Sequence, residues 1–215
     1  MNPLPFILLA ISLPLLLSGC GERAVTSLKY EIKGDSITIT NCDKKVSGAF
    51  AIPATIEGKT VTSIGPNAFR YCSSLTSITI PDSVTSIGRL AFLNCTSLTS
   101  ITIPDSVTSI GVGAFSSCSL TSITIGNGVT SIGDEAFTGC TSLKSITIPN
   151  GVTSIGGGAF YYCNSLTAVT FLGDIPKVGK GVFATTPTTI YRKPEAKGWG
   201  DTFGGRPVKL ISEKP

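Results

Sequence analysis

The sequence predicts a β-strand-rich repeat solenoid with about 23 residues per coil. Three observations support this fold class. Phenylalanines recur at nearly constant spacing along most of the chain, and the residues between them are almost the same in every copy. Each copy also has one alternating apolar stretch followed by turn residues. Such a unit cannot bury its apolar side chains alone, so successive copies must stack on one another.

The phenylalanine spacing defines the repeat. Intervals of 23, 23, 22, 23 and 23 residues separate Phe69, Phe92, Phe115, Phe137, Phe160 and Phe183. The 22-residue interval arises at Cys118-Ser119-Leu120, where the other copies carry one more residue between the cysteine and the serine. A loss at this point, outside the predicted strand, indicates a loop.

The copy that begins at Leu75 shows how one coil is expected to fold. Leu75, Ile78 and Ile80 alternate with polar residues, which predicts a strand with its apolar side chains inward. Pro81 ends the strand because proline has no N–H for a β-ladder. Asp82 and Ser83 then provide residues that favour a turn.

The second half of the same copy returns the chain to its starting point. Val84 and Ile87 are expected to point inward, and Gly88 to adopt a positive φ, as at every equivalent glycine. The segment from Ala91 to Cys95 predicts a short convex turn, with room for a single turn of helix.

The tract I-P-D-S-V-T-S-I-G-x-x-A-F-x-x-C-x-S-L resembles the repeat of BspA-like leucine-rich-repeat proteins, and its L-x-x-I-x-I stretch matches the leucine-rich-repeat strand signature. The resemblance covers roughly residues 28 to 191. It implies a leucine-rich-repeat solenoid whose concave sheet face is the ligand surface. Some family members are adhesins for host matrix proteins, so the resemblance also implies adhesion, at family level only.

The chain is expected to divide into a signal peptide at 1–19, a linker and capping hairpin at 20–60, the solenoid at 61–190, and a C-terminal cap at 191–215. Alternation over Leu28–Asn41 predicts the hairpin, with Gly34-Asp35 at its turn. Thr189–Tyr191 is the expected last strand. Three apolar residues of the cap should cover the open end of the core: Trp199, Phe203 and Val208.

The N-terminus predicts export. Residues 4–17 are almost wholly apolar, but a bilayer-spanning helix needs roughly 20 residues, so this stretch is typical of a signal peptide. Leu17-Ser18-Gly19-Cys20 resembles the bacterial lipobox, which implies acylation of Cys20 and a lipid anchor in the membrane. Gly21 after it favours the outer membrane or cell surface. The n-region departs from the pattern because Met-Asn-Pro has no lysine or arginine; the alternative is an ordinary signal peptide with an incidental cysteine.

Composition argues against catalysis and nucleic-acid binding. The chain has 215 residues, a formal net charge of +4 and no histidine, so the commonest general base and metal ligand is missing. Residues 61–170 carry three basic and four acidic residues, which cannot form the basic stripe that nucleic acid requires. We expect no enzyme activity, no cofactor and no nucleic-acid partner.

Five cysteines occupy one repeat position: Cys72, Cys95, Cys118, Cys140 and Cys163. A metal array or a chain of disulfides would need side chains that converge. Side chains from successive coils point in parallel, so the pattern favours a column of buried thiols that pack as small apolar groups. Cys42 is a further candidate for a buried thiol.

Alternation along the strands places hydroxyl side chains on the outer sheet face. The candidate ligand-binding residues are Ser77, Thr79, Ser100, Thr102, Ser122, Thr124, Ser145, Thr147 and Thr170. Threonine also suits an exposed strand without any ligand. Three interpretations therefore stay open: an extracellular protein or polysaccharide ligand, a hydroxyl lattice for glycan or ice, and a structural envelope component with no specific ligand.

Overall fold

The computed structural model describes residues 24–214, which form stacked coils with three sides. The expected signal peptide at 1–19 and the expected lipidation site Cys20 lie outside the described residues. In chain order the strands are β1 (Leu28–Lys33), β2 (Ser36–Cys42), β3 (Gly48–Ala51), β4 (Thr55–Ile56), β5 (Lys59–Ile64), β6 (Leu75–Thr79), β7 (Ser86–Ile87), β8 (Ser100–Ile103), β9 (Ser109–Ile110), β10 (Ser122–Ile125), β11 (Ser131–Ile132), β12 (Ser145–Ile148), β13 (Ser154–Ile155), β14 (Ala168–Phe171), β15 (Lys177–Val178), β16 (Thr189–Arg192), β17 (Thr202–Phe203) and β18 (Arg206–Leu210).

The first side of each coil is the predicted strand, and we call the surface that these strands form the long-strand face. Strands β3, β6, β8 and β10 pair in parallel, as do β12, β14, β16 and β18. The register places equivalent residues side by side, as in Ser122 opposite Ser100. The backbone ladder is interrupted between β10 and β12. At that break Ile123 is half-buried, whereas its equivalents Ile101 and Ile146 are buried.

The second side carries a strand that the sequence did not indicate. Residues Ser86–Ile87 and their equivalents pair in parallel in a nine-stranded sheet with the order β1-β2-β5-β7-β9-β11-β13-β15 and β4 beside β5. From β7 onward each of these strands has only two residues, too few to show an alternation of apolar and polar residues. The inward positions of Val84 and Ile87 are confirmed, because both are buried.

The third side is the predicted short convex turn, and in the described chain it contains no turn of helix. Two residues per coil have left-handed backbone conformations, such as Leu90 (φ 55°) and Asn94 (φ 58°). The N–H groups of alternate residues donate to the next coil, as Phe92 N does to the Ala114 carbonyl at 2.7 Å. A helix would direct these groups along its own axis. Bonding between coils therefore replaces helical bonding on this side.

The repeated glycines are needed for close approach, and the expected positive φ is wrong. Gly88 and its equivalents are absent from the residues with positive φ in the described chain. A Cβ added at Gly111 would lie 2.6 Å from the Gly88 carbonyl carbon and 2.7 Å from the Arg89 nitrogen. Only glycine lets the backbones of neighbouring coils lie this close.

The core is continuous along the stack. The phenylalanine rings are fully buried and stacked: Phe92 and Phe115 have centroids 5.1 Å apart at 4°, and Phe115 and Phe137 have centroids 5.5 Å apart at 5°. At the N-terminal end Phe50 meets Phe69 edge-on at 6.0 Å. Each coil thus buries its apolar residues against both neighbours, as a solenoid requires.

The two ends are closed by different structures. The predicted hairpin is present as β1 and β2, with Gly34 at its turn (φ 61°), and it extends the short-strand sheet. At the other end Trp199 packs on Phe171 and on Phe203 at 4.9 Å each, which covers the core as expected. Thr189–Tyr191 is not the last strand, because β18 pairs in parallel with β16 beyond it.

Candidate functional site

The long-strand face brings the predicted serines and threonines into two rows. In-register pairing places Ser100 between Ser77 and Ser122, and Thr102 beside Thr124. All but one of the hydroxyl residues from β6 to β12 are exposed, and Ser77 is half-buried. The spacing between paired strands in a sheet is about 4.8 Å, so the rows repeat at that interval from β6 to β10, and β12 continues them beyond the interruption of the ladder.

These hydroxyls have no hydrogen-bond partner among residues 24–214. The hydroxyls concerned are those of Ser77, Thr79, Ser100, Thr102, Ser122, Thr124, Ser145 and Thr147. On the short-strand side the threonine hydroxyls are used inside the protein: those of Thr108, Thr130 and Thr153 each donate to the threonine carbonyl of the preceding coil at 3.1–3.2 Å. The threonine rows of the two sides therefore differ in their hydrogen-bonding capacity toward a ligand.

Thr170 does not belong to the open surface. It lies in the predicted row, opposite Thr147, but only 3% of it is exposed. The Lys214 Nζ donates to its hydroxyl at 3.3 Å and lies 5.9 Å from the centre of the Tyr191 ring. The C-terminal residues thus cover the row at β14, and the accessible part of the long-strand face ends at β12.

The expected column of buried thiols is present. Four of the thiols, those of Cys95, Cys118, Cys140 and Cys163, each donate to the phenylalanine carbonyl of the preceding coil, as Cys118 Sγ does to the Phe92 oxygen at 3.1 Å. Burial raises the pKa of the Cys163 thiol to about 12, so this group stays protonated. Thr186 follows in the same position and its hydroxyl bonds to the Phe160 carbonyl in the same way. The column is therefore part of the packing between coils.

Cys42 extends this column at its N-terminal end. It is fully buried, and hydrogen bonding with the Cys72 thiol raises the pKa of Cys42 above its ordinary value. All six cysteines of the described chain are free thiols. No group of three or more cysteine, aspartate or glutamate side chains within residues 24–214 is placed to hold a metal ion.

The accessible long-strand face is polar and nearly uncharged. Each exposed strand residue from β6 to β12 is serine or threonine, and Lys144 lies just before β12. Among residues 24–214, no helix has the length and apolar character needed to cross a bilayer. The sequence correctly predicted the location of the hydroxyl rows. It could not distinguish free hydroxyls from hydroxyls bonded between coils, because both kinds of residue occur in nearly identical Thr-Ser-Ile sequences.

The chain is similar to bacterial leucine-rich-repeat proteins. A profile of the BspA type leucine rich repeat region matches residues 62–189 in six copies. The crystal structure of a T. pallidum leucine-rich-repeat protein is 31% identical, with a TM-score of 0.69 over 75% of this chain and 87% of that one. No curated protein sequence matches at a significant level.

Two further solved structures are similar over part of their length. A leucine-rich cell surface protein of Faecalibacterium prausnitzii is 32% identical, with a TM-score of 0.61 over 82% of this chain and 55% of that chain. The pneumococcal vaccine antigen PcpA is 25% identical, with a TM-score of 0.51 over 67% of this chain and 48% of that chain. This chain therefore spans about half the length of these two proteins.

Proposed function

The chain belongs to the BspA-type leucine-rich-repeat family, and on that premise we propose that it is a cell-surface binding module whose ligand contacts the long-strand face. The observation that supports this site is the free hydroxyl lattice between β6 and β12, whose donors and acceptors have no partner among the described residues. One structural relative is a cell surface protein and another is a vaccine antigen, which supports a surface location.

The chemistry of this face favours a repetitive polar ligand. Protein interfaces usually depend on a few aromatic or arginine side chains, and the rows from β6 to β12 contain none. A polysaccharide offers hydroxyl groups at regular intervals, which match the hydroxyls repeated about every 4.8 Å on the paired strands β6, β8 and β10. A glycan therefore matches the long-strand face better than a protein or an ice surface does. Binding of a protein or of ice is an alternative outcome of the test.

Changing Ser100, Ser122 and Ser145 to lysine together is expected to abolish binding to this ligand. Ser100 and Ser122 are paired on β8 and β10, and Ser145 has the equivalent position on β12, so the change would remove donors and acceptors and add bulk and charge across the centre of the face. We would measure the binding of the purified chain to a panel of polysaccharides and matrix proteins, and also thermal hysteresis as the test for ice binding. A saturable interaction reduced at least tenfold in the triple variant is the expected result.

A matched control uses Thr108, Thr130 and Thr153, which are exposed on the short-strand side of the same three coils. Lysine at these positions adds the same charge and should leave binding unchanged. Equal loss in both variants would indicate a charge effect and contradict the proposed face. Absence of binding across the whole panel, with circular dichroism showing folded proteins, would favour the structural alternative.

We further propose that Cys20 carries the lipid anchor that holds the module at the cell envelope. The supporting observation is the match of Leu17-Ser18-Gly19-Cys20 to the lipobox. Replacing Cys20 with alanine should abolish incorporation of a fatty-acid label and move the protein out of the membrane fraction, because acyl chains contribute about 0.8 kcal/mol per buried methylene. Absence of label in the unmodified chain would exclude the anchor.

A further inference from the structure

A recess lies on the third side of the solenoid, away from the long-strand face. It has a volume of about 500 Å³ and is lined by Asp134, Glu135, Gly157, Gly158, Tyr161, Gly179, Lys180, Gly181 and Ala184. These residues come from three successive coils, since Glu135 N donates to the Gly157 carbonyl and Gly158 N to the Lys180 carbonyl. The middle coil contributes Gly157 and Gly158, which have no side chains. A gap is therefore left between Glu135 of the first coil and Lys180 of the third coil.

The backbone alone does not require glycine at the centre of this gap. Gly158 has a φ of +60°, but Leu90 and Glu135 occupy the equivalent position in other coils with φ of 55° and 56°. A Cβ on Gly158 would lie 3.6 Å from the Glu135 Cγ and 3.7 Å from the Tyr161 Cβ, which are ordinary contacts. Glycine at this position therefore keeps open a space that a larger residue would fill.

The walls of the recess offer polar groups around an aromatic ring. Glu135 lines the recess from the first of the three coils and Lys180 from the third, so their backbones are about 10 Å apart at about 4.8 Å per coil. One oxygen of the Asp134 carboxylate is already used inside the protein, because its Oδ1 accepts a hydrogen bond from the Gly157 N–H at 2.6 Å. The exposed Gly181 N–H has no hydrogen-bond partner among residues 24–214 and is free to donate.

Tyr161 supplies an apolar wall with a hydroxyl group at its tip. Its ring is half-buried and packs against Tyr162, with centroids 4.0 Å apart. Hydrogen bonding with Tyr162 raises the pKa of the Tyr161 hydroxyl above its ordinary value, so the group keeps its proton at neutral pH. Tyrosine combines an apolar ring with a polar tip. This suits a ligand with an apolar face and hydroxyl groups around its edge.

We propose that this recess binds one uncharged pyranose unit of a glycan. The ring would lie over Gly157 and Gly158 with its C–H face toward Tyr161. Its hydroxyl groups would donate to the Glu135 carboxylate and accept from Lys180 and the Gly181 N–H. The presence of both charge signs disfavours a strongly charged ligand. The site is separate from the long-strand face.

The test is a nuclear magnetic resonance titration of the isotopically labelled full chain in a detergent without a sugar head group. The probes are methyl β-D-glucopyranoside, methyl β-D-galactopyranoside and methyl α-D-mannopyranoside, with tetramethylammonium chloride as a cationic probe. We expect at least one sugar to shift the amide signals of Gly157, Gly158 and Gly181 with a dissociation constant on the order of 1 mM. Absence of saturable shifts for all three sugars, or stronger binding of tetramethylammonium, would overturn the proposal.

Four variants separate binding at the recess from other effects. Gly158→Leu should remove the sugar-induced shifts, and Leu90 shows that leucine is accepted at the equivalent position. Gly58→Leu is the matched control, because Gly58 also has a positive φ (73°), with open space around it in the β4–β5 hairpin. Glu135→Gln should weaken binding at least fivefold. Shifts that persist in Gly158→Leu would contradict the site, whereas the triple lysine variant of the long-strand face should retain them.

Discussion

Replacing Phe115 with alanine is expected to lower the free energy of unfolding by about 3–5 kcal/mol, the range for a fully buried aromatic residue. The Phe115 ring is completely buried and stacks on both Phe92 and Phe137. Its loss leaves a cavity that borders two coil interfaces, and the stability of a solenoid depends on such nearest-neighbour interfaces. The measurement is urea unfolding followed by circular dichroism, with the free energy extrapolated to water.

Phe50→Ala is the control for this experiment. Phe50 lies at the N-terminal end of the same column and is half-buried. Its ring contacts only one other aromatic ring of the described chain, that of Phe69, which it meets edge-on. We therefore expect a clearly smaller loss than at Phe115. Equal losses at the two positions would show that the stacked column contributes no more than general apolar burial.

Replacing Gly111 with alanine is expected to destabilise the protein by about 1–3 kcal/mol, as for overpacked positions. The added methyl group would lie 2.6 Å from the Gly88 carbonyl carbon, so two coils would have to move apart. That movement would strain the bond from the Gly111 N–H to the Ile87 carbonyl, now 2.8 Å long. The same urea unfolding experiment measures the effect.

Gly200→Ala is the matched control for Gly111. Gly200 has open space within 4 Å and lacks a positive φ, so alanine should be neutral there within about 0.5 kcal/mol. A neutral result at Gly111 would mean that the coils can separate by several tenths of an ångström without loss. The close approach would then not explain why glycine recurs at this position.

The long strands, the inward apolar residues and the thiol column were all predictable from sequence. Each depends on a strong local signal repeated in register: Leu75, Ile78 and Ile80 alternate, and a cysteine recurs every 22 or 23 residues. Repetition converts these local signals into spatial columns, because equivalent residues of stacked coils must lie side by side. The hairpin at Leu28–Cys42 was predictable for a similar reason, since alternation and a glycine turn are adjacent in the chain.

The turn segment and the short strands were not predictable, because they depend on bonds between coils. Leu90 and Glu135 adopt left-handed conformations that their residue types do not indicate. The repeated glycine suggested a turn conformation, but its role is the distance to the next backbone. The burial of Thr170 by Lys214 likewise joins residues 44 positions apart in sequence.

The repeat length, the direction of the apolar side chains and the location of the hydroxyl rows follow from the amino-acid sequence alone, because equivalent residues of a stacked periodic chain can be arranged in only one way. The packing of the coils shows which hydroxyls are free for a ligand, where the accessible face ends, and that two glycines open a recess beside Tyr161. These features depend on distances between backbones and side chains of different coils, which near-identical repeats do not encode separately.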